Sequence, residues 1–147
     1  SRQARAGASF PRSLELLTLV PLMGMLAGGM LAFVLRERTL TLDSIFATIA
    51  AYLLLAGLFT QIYMCLITWN PASFSLPVEV AGRPLHLLHS DMTYFSLVTL
   101  ATVGYGDILP ATSTARMLAM IQAVTGQFYV AVVVAIFVGM YSSQRRR

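Results

Sequence analysis

Apolar residues in this chain run in three long blocks, at residues 14–35, 44–69 and 117–141, separated by shorter stretches that hold most of the prolines and charges. Each block is long enough to cross a hydrocarbon core as an α-helix, which takes about 20 apolar residues. The second and third contain no charged residue, and the first has only Glu15 near its start. A fourth apolar stretch, over residues 92–101, is about half that length and cannot span a bilayer. Ser90 and Asp91 precede it as helix-start residues, so a short helix over 90–101 is predicted. Placed between two spanning helices, a helix of this size re-enters the membrane with its carboxyl end inward, where the dipole favours a cation.

The boundaries of the longer elements have local signals. Thr41 and Asp43 offer helix-start oxygens for an outer helix over 44–69, and Asn70-Pro71 ends it because proline disfavours helix in the residue before it. Trp69 and Tyr63 sit toward that end as interfacial aromatics. A turret-like connection over 70–89 carries Pro71, Pro77 and Pro84, with a small hairpin expected around Ala81-Gly82, and holds both histidines, His86 and His89. Thr112 or Ser113 caps an inner helix over 113–141. Upstream, residues 1–12 form a basic arm, and 13–36 a membrane or interfacial helix with Pro21 to bend it and Gly24 and Gly28 spaced for close helix approach.

Composition agrees with the pattern. The chain is 57% hydrophobic and 11% charged with a mean hydropathy of +0.74, too apolar for an ordinary soluble domain. Its net charge of +4 comes from arginine alone. Arg36 and Arg38 follow the first block and Arg145, Arg146 and Arg147 follow the third, the placement of topology signals and not of a nucleic-acid surface. Membrane lipid is the expected partner. Cys65, the single cysteine, lies within a span and forms no disulfide in the chain. No catalytic or metal-ligand spacing is present, so neither an enzyme nor a bound cofactor is expected.

The candidate chemistry lies just after the short helix, in Thr102, Val103, Gly104, Tyr105, Gly106 and Asp107. Stripping the water from a monovalent cation requires a replacement cage of oxygens, and backbone carbonyls turned to one side provide it. Such a backbone needs positive φ, which Gly104 and Gly106 adopt without steric penalty. Val103 and Tyr105 then face away as braces, and Thr102 adds a hydroxyl at the inner end. One strand gives one carbonyl per level and the hexapeptide occurs once, so several chains must meet on an axis.

The order of outer helix, turret, short helix, Thr-Val-Gly-Tyr-Gly-Asp and inner helix resembles the pore domain of the potassium channel family, over residues 43–143. The resemblance implies an all-α membrane protein assembled as a homotetramer. It implies K+ coordination by Thr102, Val103, Gly104 and Tyr105, with Gly106 completing the filter strand, Asp107 at its mouth, and a hinge or tight-packing role for Gly126. The residues expected to support the filter depart from the family pattern. Tyr94 and Phe95 stand where many members have two tryptophans, and Phe95 has no polar atom to bond Tyr105. Val98 stands where some members have a glutamate.

The expected activity is passive, K+-selective conduction across the cell membrane. A subunit of a potassium uptake transporter and a non-conducting scaffold that keeps the pore fold are the alternatives. A filter facing outside puts both ends of residues 43–143 in the cytoplasm, in accord with Arg36, Arg38 and the terminal arginine cluster. A spanning first helix puts Arg2, Arg5 and Arg12 outside, against that rule. An upstream region preceding Ser1 is the expected resolution, with further regulatory parts outside the chain.

Overall fold

The outer helix, α1, runs Leu42–Trp69 and is capped at both ends by the residues that flank it. The Thr41 hydroxyl accepts from the Ser44 amide at 3.2 Å, and Asp43 stands in the first turn at the positive end of the dipole. At the other end the Asn70 amide donates to Leu66 O at 2.9 Å, and the Asn70 side chain turns to accept from Ala72 N, opening a 3-10 turn over Pro71–Ser73. Substituting Thr41→Ala is expected to cost about 1 kcal/mol through the lost cap. Thermal unfolding in detergent checks this, and an unchanged midpoint would remove the cap from the account.

This computed structural model describes residues 18–26, 28–29, 32–33, 41–77 and 85–145. The basic arm, Arg36, Arg38, Arg146, Arg147 and the part of the expected hairpin over 78–84 lie outside the described residues. Those described within 18–33 are helical, and Met23 approaches α1 at Gly57, where its sulfur is 3.5 Å from the position of a side-chain Cβ. At Gly24 and Gly28 nothing lies within 4 Å of such a position. Their small-residue spacing instead borders an apolar cavity of about 470 Å³ shared with α1 and the inner helix.

Two short strands follow the turn and the pore segment respectively. β1, Phe74–Ser75, pairs antiparallel with β2, Leu109–Pro110, placing Phe74 opposite Pro110 and Ser75 opposite Leu109. Ser73 O extends this tie by accepting from Ala111 N at 2.8 Å. The chain leaving α1 is thereby fastened to the chain leaving residues 102–107.

The short helix, α2, spans Leu85–Leu100, longer than the 90–101 read from the sequence. Ser90 and Asp91 are inside it and not at its start. At 16 residues it is about 24 Å long, still short of a hydrocarbon core of about 30 Å. The inner helix, α3, runs Ser113–Arg145, with the Thr112 hydroxyl accepting from Ala115 N at 3.3 Å as its cap. Among the described residues, Leu42–Trp69 and Ser113–Ser143 are the helices long and apolar enough to cross a membrane.

The three helices meet in one core, in which Phe59, Tyr63, Met64 and Ile67 of α1 pack with Phe74, with Met92 and Phe95 of α2, and with Ile108 and Ala115. Tyr63, Phe74 and Phe95 form a mutual edge-on trio with centroids 5.2–5.4 Å apart, a geometry that brings positive ring edges to negative faces. Tyr63 is fully buried, whereas Trp69 is 78% exposed, so only the tryptophan has the placement expected of an interfacial aromatic.

Candidate functional site

Three consecutive backbone bonds turn the chain out of α2. Ala101 N donates to Leu97 O at 2.9 Å, Thr102 N to Thr99 O at 3.0 Å, and Val103 N to Val98 O at 2.9 Å. The last carbonyls of a helix have no partners within it, and the emerging segment satisfies three of them. Val98, half-buried, therefore holds the segment through its backbone carbonyl, a contact its apolar side chain does not reveal.

From there the backbone is left-handed at every second residue, with φ of +58° at Thr102, +59° at Gly104 and +83° at Gly106. Alternating left-handed residues with others of opposite hand rotates successive peptide planes so that their carbonyls fall on one side. The glycines accept this freely, whereas positive φ at a β-branched threonine costs about 1–2 kcal/mol. The positive φ of Thr102 is a feature that residue type did not expose. Its signal was its position two residues before Gly104 in the same alternation. Strain of this kind is held only where the surroundings over-determine it.

Around the segment the supporting aromatics divide their work. Tyr94 stacks its ring parallel to that of Tyr105, with centroids 6.4 Å apart and 1° between planes. Interaction of its phenol with the Asp107 carboxylate pushes its ionisation above the usual tyrosine range. Asp107 is held in turn by its own Oδ1, which accepts from Ile108 N at 3.0 Å. Phe95 instead packs with Tyr63 and Phe74 in the core, and no ring contact joins it to Tyr105 among the described residues. Without a side-chain polar atom it forms no side-chain hydrogen bond, and the polar group that interacts with Asp107 belongs to its neighbour Tyr94.

Behind α2, Gly126 of α3 lies against Leu100. A methyl group there would collide with the Leu100 carbonyl oxygen and stand 3.0 Å from its Cδ1. One turn earlier, Gln122 is fully buried and bonds to both other helices, while Gln127 is exposed. His89 lies on α2 and not in an irregular turret, its Nε2 3.4 Å from the Gln61 side-chain amide. Cys65 is half-buried within α1, and no cluster of three potential metal-ligating side chains occurs among the described residues.

This arrangement has clear relatives. The family described as an ion channel matches residues 78–143. Potassium channel protein kcv of Paramecium bursaria Chlorella virus 1 is 33% identical over 79 residues, covering 54% of this chain and 80% of the viral protein. The chain belongs to the potassium channel pore-domain family. Similarity to a relative of about this length is broader, since Protein LctB of Geobacillus stearothermophilus is 33% identical over 126 residues, 85% of this chain and 91% of its own. Two-pore potassium channel 4 of Arabidopsis thaliana is 54% identical over 39 residues, and there the chain spans only 14% of the relative's length. No solved structure matches the chain. Family membership and the two long apolar helices make this a membrane protein with an all-helical channel fold, and a channel, not an enzyme.

Proposed function

We propose that this chain is one subunit of a homotetrameric, K+-selective channel of the cell membrane that conducts passively through residues 102–107. The alternation of left-handed residues at Thr102, Gly104 and Gly106 within Thr-Val-Gly-Tyr-Gly-Asp carries this reading, because a strand that turns its carbonyls to one side requires such an alternation. Around a fourfold axis the carbonyls of Thr102, Val103, Gly104 and Tyr105, with the Thr102 hydroxyl, replace the hydration shell of K+ at successive levels. Ions then advance by displacing one another between adjacent rings. Gly106 gives the strand its last left-handed turn, and Asp107 adds negative charge at the outer mouth. The carboxyl end of α2 directs its dipole toward the inner entrance.

Exposure of the single chain favours assembly. Val103 is 52% and Tyr105 71% exposed, so the strained strand is braced from behind by little of its own chain. Along α3 the apolar side chains of Met117, Met120, Val124 and Phe128 are likewise uncovered. Neighbouring subunits and lipid cover these faces. The filter mouth is outside and the end of α3 cytoplasmic, as the arginines after α3 favour.

Flux from purified protein in liposomes tests the reading, with K+ passing in strong preference to Na+. Equal flux of the two ions would overturn it. Native mass measurement is expected to give four chains, and a stable monomer or trimer would remove the shared axis.

A further inference from the structure

Tyr63, Ser96 and Gln122, one from each helix, are all fully buried and joined to one another. The Tyr63 hydroxyl donates to Gln122 Oε1 at 2.6 Å. Gln122 Nε2 donates to Ser96 O at 3.0 Å and to Ser96 Oγ at 2.7 Å, and Ser96 Oγ donates to Ala56 O at 2.7 Å. Three side chains thus close a path from α1 through α3 to α2 and back to α1. Both amide hydrogens of Gln122 and its oxygen are used, so the side chain has one orientation in which every group is satisfied. In an apolar surround, rotation of that amide would leave donors facing donors, which makes the cluster a positional lock more than a source of attraction.

Its place along the helices gives the lock a consequence. Gln122 and Gly126 are one turn apart on α3, and their contacts Ser96 and Leu100 are one turn apart on α2. The inner helix therefore grips the last turn of α2 at two points, one polar and one steric. Between those points lie Leu97, Val98 and Thr99, whose carbonyls hold the amides of Ala101, Thr102 and Val103. Rotation or slippage of α2 by part of a turn would redirect all three carbonyls and release the strain held at Thr102.

We infer that Gln122 is a positioning residue for ion selection, fixing through Ser96 and Tyr63 the rotation of α2 that sets the geometry of the Thr102 ring. It touches no ion and acts only through the backbone of α2. The inference rests on the filter reading proposed above.

The test uses the full chain in liposomes, comparing K+ and Na+ flux for wild type, Tyr63→Phe, Ser96→Ala, Gln122→Leu and the Ser96→Ala/Gln122→Leu pair, with native mass as the check on assembly. Tyr63→Phe removes one oxygen and keeps the ring packing, so it reports even where Gln122→Leu fails to assemble. Losing one buried partner is expected to lower the K+ over Na+ preference by about tenfold. The pair is expected to lower it by less than the product of its two single effects, as members of one network do. Assembled Tyr63→Phe and Ser96→Ala tetramers with wild-type preference would overturn the inference, even if their thermal stability fell, because a merely structural cluster behaves that way. A wild-type protein that passes both ions equally is a different result, and it would overturn the filter reading itself.

Discussion

Gly126→Ala is expected to leave the chain unable to form the proposed tetramer, with a destabilisation of about 3–5 kcal/mol per chain from overpacking and lost hydrogen bonds. The added methyl meets a backbone carbonyl, Leu100 O, which cannot rotate aside as a flexible side-chain end would. Relief requires α3 to move away from α2. That movement pulls Gln122 from Ser96 one turn along, where two hydrogen bonds are made to fully buried groups. Size-exclusion and native mass in detergent measure the outcome. Gly139→Ala is the control, since nothing in the chain lies within 4 Å of a methyl there, and it is expected to assemble normally. A Gly126→Ala tetramer of ordinary stability with altered opening would favour a hinge role and defeat the packing account.

How far the sequence carried this picture depends on the range over which each feature is decided. The ends of α1 were legible because Thr41, Asp43, Asn70 and Pro71 act within one turn, and the expected 44–69 differs from Leu42–Trp69 by two residues. The start of α2 was misread because Ser90 and Asp91 have cap-forming side chains that also occur inside helices. Pro84, immediately before Leu85, was the better signal, since proline is well suited to a helix start. α3 continues past Tyr141 to Arg145 because no proline or glycine intervenes after Gly139.

Features decided across the fold were less legible. Tyr63 read as an interfacial aromatic, yet its hydroxyl is satisfied by Gln122, 59 positions away, and that partner allows full burial. No local rule separates Gln122, buried among three helices, from Gln127, exposed five residues later. The glycines of the 102–107 segment announced positive φ, while Thr102 did not, because a β-branched residue adopts it only under the constraint of the bonds from Thr99 and Val98. The candidate segment was thus legible from residue type, and the contacts around it were legible only in part.

On the proposed function, Gly104→Ala is expected to abolish selective K+ flux while leaving the proposed tetramer intact, the opposite division of effects from Gly126→Ala. At Gly104 a methyl meets nothing in the chain within 4 Å, so the penalty is conformational. A φ of +59° in a non-glycine residue costs about 1–2 kcal/mol, and four strands sharing one axis raise this to about 4–8 kcal/mol for the filter as a whole. A penalty of that size lowers the population of the conducting form by about a thousandfold or more. The strand has a cheaper alternative, which is to return residue 104 to negative φ and turn its carbonyl off the axis. Because the 102–107 segment is exposed in the single chain and outside the α1–α2–α3 core, that change does not disturb the contacts that fold each subunit. Flux of K+ and Na+ from liposomes, with native mass on the same preparation, separates the two effects. A Gly104→Ala tetramer that still passes K+ at the wild-type rate and preference would show that ion selection does not depend on a left-handed residue at this position.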